Sequence, residues 1–337
     1  MLSNVNPETT CLMQLRCFTL KHPSPGSKGL ACLRFEGYPG EPYPYEAIKS
    51  LKRDWYFFWF SSWNYSLKQL PYNDLIDLFV AWDGLTDEIK AAGRTDCVFV
   101  RGGCETAEPH DTLFFPTADA QLEIDLLYVA RFISAKRCDV ALKCASYICE
   151  RKPGARIVFL ESPASEPHTR LWLLKERADL GLENNVLLTS VPLQVVNSFL
   201  NRARISLFTS DEEGMCRAVL QSLLAERPLL CYRHTNALTQ TLHDDRFFNF
   251  YEEQTGESAG RAALALLEQD IWQNRGARRY LLEERKIKFH SGVEWRHELF
   301  AAAEHLYARD GQRLEPRDIV PLEVATTQFW QPFELLP

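Results

Sequence analysis

Residues 205–233, ISLFTSDEEGMCRAVLQSLLAERPLLCYR, constrain the fold of this chain more than any other stretch. Ile205 to Phe208 is a short apolar run, the pattern of a strand buried on both faces, and Thr209, Ser210 and Asp211 bound it with turn-forming residues. After Glu213-Gly214, apolar residues recur at Met215, Ala218, Val219, Leu223 and Leu224. Spacings of three and four place them on one stripe of a helix. Arg227-Pro228 ends that helix, because proline disfavours helical geometry in the residue before it. Leu229 to Tyr232 predicts a second strand. The unit is βαβ, with an acidic loop at the carboxyl end of its first strand, the edge at which open α/β sheets take their ligands.

Earlier in the chain the same alternation repeats. Ile124 to Ala130 predicts a strand, Lys136 to Arg151 a helix stopped by Pro153-Gly154, and Ala155 to Leu160 a strand. His168 to Leu180 predicts a helix closed by Gly181, Val186 to Thr189 a strand, and Pro192 to Asn201 a helix with proline in its first turn. Repeated βα units with short connections imply a parallel, doubly wound sheet. Upstream, residues 1–45 read as irregular, with HPSPGSKG and EGYPGEPYPY supplying turns. Glu46 to Lys52 predicts a short helix, and Asp54 to Phe60, Leu78 to Trp82 and Cys97 to Arg101 predict strands, with a helix over Asp87 to Ala92. Phe114-Phe115-Pro116 and the polar TADAQ mark a domain boundary. Beyond 235 helices are expected near Ala259 to Glu268, Arg278 to Lys288 and Val293 to Leu306, followed by a proline-containing tail. The expected organisation is an α/β protein with an abbreviated first domain over 1–118, a second domain over 119–310, and a tail over 311–337 that packs back on the first.

Composition narrows the setting. An apolar share of 46% and a charged share of 25% belong to a globular chain. The 38 basic and 45 acidic residues give a net charge of −7, which argues against a general polyanion-binding surface. No run approaches the roughly eighteen apolar residues of a membrane span, and the first residues lack a basic-then-apolar signal, so a cytoplasmic protein without a transmembrane segment is expected. The 10 cysteines include no CxxC pair and none lies at zinc-finger spacing from histidine, so free buried thiols and no metal site are expected.

No GxGxxG follows a strand, and GxxxxGK[ST], HExxH and GxSxG are absent, which removes most of the weight from dehydrogenase, P-loop, zinc protease and α/β-hydrolase chemistry. What remains is the acidic loop and a basic pair, Arg131 and Lys136, just after the first strand of the regular half. Topology sends all three residues to one sheet edge. There a helix N-terminus, partly positive, suits a diphosphate, and the basic pair would add charge-assisted bonds to it.

EGMCRAVLQSLLAERPLL resembles the E-G-M-P-R-A-L-L-E-A-M-A-x-G-x-P-V-V signature of the retaining GT-B glycosyltransferases of family 4 (glycosyl transferases group 1). DLLYVARFISAKRCDVALKCASYICERKPGARIVFL is similar to that family's V-G-R-x…K-G segment, with Arg131 and Lys136 in the matching places. The resemblance spans about residues 95–240. It implies a GT-B fold, two Rossmann-like domains facing a cleft, and transfer of a sugar from a nucleotide diphosphate donor with retention of configuration. No cofactor and no metal are implied. Carried over, Glu213 contacts the donor sugar, Arg131 and Lys136 hold the diphosphate, and Gly214, Met215, Cys216, Arg217 and Gln221 line the donor. The family's ribose-binding glutamate falls on Gln221, a neutral and weaker partner. Ala130 replaces a glycine before Arg131, Glu226-Arg227 a glycine-containing turn, and His234-Thr235-Asn236 a Gly-Gly. The first domain is shorter than the usual acceptor domain, where Trp63 and Asn64 are the acceptor candidates.

Each residue also has a plainer role open to it. Glu213 could cap the following helix, or pair with Arg217 four residues on. Arg131 and Lys136 could be solvated surface charge, Trp63 and Asn64 core, and Arg278 to Lys288 a solvated helix face. The leading expectation is a glycosyltransferase acting on a nucleotide sugar and a glycan or other hydroxyl-bearing acceptor, with a partner protein or homo-oligomer open. The alternative is a catalytically weak GT-B-like subunit that binds a nucleotide sugar or glycan for a partner enzyme; a phosphorylase or epimerase of this fold fits less well.

Overall fold

The computed structural model describes residues 18–33, 45–60, 73–81, 89–94, 97–101, 109–118, 120–163, 165–211, 213, 216–235, 242, 244–269, 273–285, 287, 289 and 292–318. The chain divides into two compact units, residues 1–103 with 292–337, and residues 104–291. Each has its own sheet.

In the larger unit the strands are β6 (Ile124–Ala130), β7 (Ile157–Glu161), β8 (Val186–Ser190), β9 (Ala203–Phe208), β10 (Leu229–Tyr232) and β11 (Phe248–Tyr251). They lie in the order β11-β10-β9-β6-β7-β8, with every neighbouring pair parallel. Counted from β6 this is the doubly wound order, and it reverses between β6 and β9. The near-continuous apolar strands follow from burial on both faces. Along β6, Leu127 and Val129 join one core while Leu126, Tyr128 and Ala130 join the other. The helix Cys138–Arg151 buries Cys138, Ala141, Cys144, Ala145 and Ile148 on the second face, where its cysteines act as small apolar residues. It packs closely on the helix Gly256–Glu268; a Cβ on Gly260 would come within 2.6 Å of the Tyr147 ring.

In the smaller unit β1 (Phe18–Lys21), β2 (Gly29–Leu33), β3 (Trp55–Phe60), β4 (Leu78–Ala81) and β5 (Val98–Arg101) lie in chain order. Only β1 and β2 are antiparallel. The helix Gly292–Arg309 covers this sheet, packing Leu299, Ala303, Leu306 and Tyr307 with Leu30, Tyr56, Phe58 and Val80. Leu314, just past it, is buried in the same cluster. No helix among the described residues is long and apolar enough to cross a membrane.

Several sequence expectations are corrected here. Residues 1–45 are not irregular throughout: the Pro/Gly-rich HPSPGSKG is the turn between β1 and β2, with Gly26 at φ 75°. Those two strands are only four and five residues long, too short for a clear alternation. Phe114-Phe115-Pro116 is not a boundary. Phe114 is fully buried in the larger unit's core, and the side chains of Asn197 and Asn201 bond the backbone of Phe115 and Thr117. The helix Gly292–Arg309 belongs to the first unit rather than the second. Arg278 to Lys288 is not one solvated helix: Ala277–Arg279 leads into a wide turn, Tyr280–Glu284, and Arg278 donates to the carbonyls of Phe114 and Asp111. Strand β11, with four residues, gave no signal strong enough to expect it.

Candidate functional site

The site is built from the two loops that leave β6 and β9, the neighbouring strands at the reversal of order. The helices that follow them pack on opposite faces of the sheet, and the carboxyl ends of strands at such a reversal are where open α/β sheets take their ligands. After β6 come Arg131 and the buried Phe132, then a tight turn, Ser134–Lys136, and Arg137 at φ 50° and ψ 50° before the helix starts at Cys138. The expected helix start at Lys136 is therefore displaced by a left-handed residue. After β9 come Thr209, Ser210, Asp211 and Glu213, and the helix Arg217–Leu224 starts behind Cys216.

Lys136 and Glu213 meet here. The Lys136 ammonium donates to Glu213 Oε1, and the Ser210 hydroxyl donates to the same oxygen at 2.5 Å. Their side chains are 12% and 6% exposed. A charge so far removed from water is costly to leave alone, and each of these supplies the other's partner. Two buried hydroxyls fix the lysine's backbone: Tyr128 donates to the Lys136 carbonyl at 2.7 Å, and Thr209 Oγ1 lies 2.7 Å from the same oxygen. Thr235 Oγ1 in turn donates to the Ser210 carbonyl at 2.7 Å, and the Gln254 amide to that of Thr209. The Lys136 carbonyl and the first two residues of the loop that carries Glu213 are thus held by side-chain donors.

These contacts decide the plainer roles. Glu213 does not cap the helix: Cys216 is the N-cap, without a side-chain capping bond, and the carboxylate's donors are Lys136 and Ser210. Its ion pair is with Lys136, not with Arg217, which is exposed on the first turn. Lys136 is not solvated surface charge. Arg131 is half-buried directly after β6, on the same edge. The Cys216 thiol is buried, and burial first, then the Glu213 charge, push its pKa up to about 12. A thiol held neutral in this way offers packing rather than a nucleophile.

Gln221 is buried, and its Nε2 lies 3.0 Å from Nε2 of His110. His110, on the short helix His110–Leu113, is fully buried, stacked on Phe289 at 6.1 Å between ring centres and tilted against Phe114 at 5.3 Å. Burial first, and then the Arg217 charge, lower its pKa to about 4. The imidazole is therefore neutral at pH 7, and one ring nitrogen can accept from the Gln221 amide. The sequence reading missed His110, Ser210, Thr209 and Tyr128; Ser210, three residues before Glu213, was already in view as a turn residue. Gly214, Met215, Trp63, Asn64 and Asn236 lie outside the described residues. His234, exposed past β10, has its ring edge-on to Tyr232.

Residues 111–277 match the family model described as Glycosyl transferases group 1. No curated protein matches the chain in sequence. Among solved structures, TarM of S. aureus, crystallised with UDP, is 13% identical with a TM-score of 0.55, over 74% of this chain and 51% of TarM. The pneumococcal O-GlcNAc transferase GtfA, in complex with UDP and GlcNAc, is 13% identical with a TM-score of 0.53, over 77% of this chain and 54% of GtfA. HepE of Anabaena, in complex with UDP and glucose, is 11% identical with a TM-score of 0.54, over 77% and 76%. The chain thus spans about half the length of TarM and GtfA. Likeness at this identity is likeness of fold, and the fold is GT-B. The matched stretch contains Arg131, Lys136, Glu213 and Gln221, so the similarity to that family model includes the site.

Proposed function

We propose that this chain is a retaining glycosyltransferase of family 4, acting in the cytoplasm, that moves a hexosyl group from a nucleotide diphosphate sugar to a hydroxyl-bearing acceptor without a metal ion. The observation that carries the reading is the buried Lys136–Glu213 pair at the point where strand order reverses. Glu213 is the group for the donor sugar's hydroxyls, since a carboxylate has room to accept beyond the two donors it already holds. Lys136 and Arg131 supply positive charge where the diphosphate gathers negative charge as it leaves, a role that fixed charges perform without reorganisation. An ammonium has three donors, so Lys136 can bond Glu213 and a diphosphate oxygen together.

In the transfer, the bond from the anomeric carbon to the diphosphate oxygen breaks and the acceptor oxygen bonds that carbon on the same face. The acceptor's proton leaves with the diphosphate. Cys216 and Arg217 line the donor at the start of the helix, where free N–H groups favour an anion, and Gly214 and Met215 keep the donor role that the family resemblance implies. Gln221 is the ribose residue, and Trp63 and Asn64 remain the acceptor candidates. The UDP bound in TarM, GtfA and HepE makes UDP-sugars the first donors to try.

A panel of nucleotide sugars screened by melting temperature tests the binding step; a ligand at a hundred times its dissociation constant adds about 2.7 kcal/mol. Release of UDP with EDTA present tests the metal-free chemistry, and the anomeric configuration of the product tests retention. Glu213→Gln, nearly the same shape but uncharged, is expected to cut UDP release by about a hundredfold or more. Normal release by that variant would overturn the assignment of Glu213.

One observation favours a second reading, a weakly catalytic subunit that binds the nucleotide sugar for a partner. Gln221 is neutral, and its amide is engaged by His110. A protein that a UDP-sugar stabilises, but that releases no UDP with or without acceptor, would be that subunit.

A further inference from the structure

Between Lys136 and the helix that follows it, the backbone turns through Arg137 at φ 50° and ψ 50°. Glycine adopts such left-handed values freely, and a side chain makes them costly. The K-G segment that this stretch resembles has glycine at that place. The arginine is held by two carboxylates. Its Nε and Nη2 donate to Oδ1 and Oδ2 of Asp139 at 3.0 and 3.1 Å, and its Nη1 lies 3.2 and 3.3 Å from the two oxygens of Asp211. Asp139 is on the first turn of the helix Cys138–Arg151; Asp211 is on the acidic loop, two residues before Glu213. One guanidinium therefore joins the segment that carries Lys136 to the loop that carries Glu213. Its fork geometry, with donors facing two directions, is what lets it hold both.

The join is distinct from the buried pair beside it. Arg137, Asp139 and Asp211 are 30%, 38% and 46% exposed, a setting in which ion pairs add little to global stability. Thr209 fixes the end of β9, but past it the loop is tied to the 134–137 turn at Asp211 and again at Glu213. An exposed tie that strains the backbone and adds little stability acts through position. We infer that Arg137 is a positioning residue: by bridging Asp139 and Asp211 it holds the acidic loop where the Glu213 carboxylate meets the Lys136 ammonium. This rests on the donor site proposed above.

Arg137→Gly separates position from folding. It removes the bridge and at the same time supplies the residue that a φ of 50° favours, so its melting temperature should equal or exceed that of the wild type. UDP release should nevertheless fall about ten- to a hundredfold, in kcat more than in KM, since a shift near 1 Å at a reacting group can cost that much. Asp211→Asn should give a similar loss. The double variant should be no worse than the worse single one, because both break the same tie. Arg137→Lys should recover only part of the rate, as an ammonium cannot reproduce the fork. Amide hydrogen exchange at Asp211 and Glu213 should quicken in Arg137→Gly and in Asp211→Asn, whether or not donor is present.

Arg137→Gly turning over at the wild-type rate would overturn the inference. So would losses that multiply in the double variant, or exchange unchanged in both single ones. A wild-type protein that turns over no nucleotide sugar would instead overturn the proposed function, and the positioning role with it. Faster exchange with normal turnover would overturn the positioning role alone.

Discussion

The two units each contain a cluster of lysine, carboxylate and tyrosine, and the clusters serve different ends because of where the strands deliver them. In the smaller unit Lys28 and Tyr56 stand at the amino ends of β2 and β3. The Tyr56 hydroxyl donates to Asp310 at 2.6 Å, the Lys28 ammonium lies 3.6 Å from the same carboxylate, and the Tyr307 hydroxyl donates to the Lys28 carbonyl at 2.8 Å. Its partners come from the end of the C-terminal helix, so the cluster latches that helix onto the sheet. In the larger unit the cluster stands at the carboxyl ends of β6 and β9 and joins two loops that leave neighbouring strands in opposite directions. The same residue types make a structural latch at the amino edge of one sheet and, at the carboxyl edge of the other, the pair to which we assign the donor. The second edge differs because helix N-termini and diverging loops meet there.

The contrast breaks first, and hardest, at Lys136. Lys136→Ala strands the Glu213 carboxylate in a nearly dry site and should cost about 3–5 kcal/mol of stability. It should also cost a hundredfold or more in UDP release. Melting curves and turnover on one preparation check both, and a variant unchanged in both would make Lys136 a surface charge after all.

Next in size is a pH effect confined to the larger unit. His110 titrates near 4 when folded and near 6.5 when unfolded, so between those values the unfolded chain binds more protons than the folded one. Stability contributed by the neutral imidazole is full above about pH 6.5 and is lost as pH falls towards 4, by about 3 kcal/mol in all. The difference in unfolding free energy between wild type and His110→Phe should therefore change across that window. A constant difference would mean that His110 is free to protonate in the folded state.

The smallest effect is expected at the latch. Tyr56→Phe removes one hydrogen bond to a partly exposed carboxylate and should cost about 1 kcal/mol. Affinity for UDP, measured by calorimetry, should not move. A matching loss of affinity would mean that the latch is part of the ligand site and that the two clusters are not separable.

The residues by themselves determined the regular half. Apolar runs of four to seven residues, alternating with helical stripes and punctuated by Pro153, Gly154, Gly181 and Pro228, were enough to predict β6 to β10 and the helices between them, because strands buried on both faces need uninterrupted apolar sequence. The same order sends Arg131, Lys136 and Glu213 to one sheet edge, so their common location was legible as well. Their partners were not. That Glu213 meets Lys136 and Ser210 rather than capping a helix or pairing with Arg217, that Gln221 rests on a histidine 111 positions away, and that Arg137 turns left-handed between two aspartates are products of packing. Local pattern encodes which face of an element is apolar, whereas a polar side chain's partner depends on which loops the sheet brings side by side. For the same reason the C-terminal helix, amphipathic but silent about its destination, was placed in the wrong unit: a helix shows that it must cover a sheet, and only the tertiary structure decides which one.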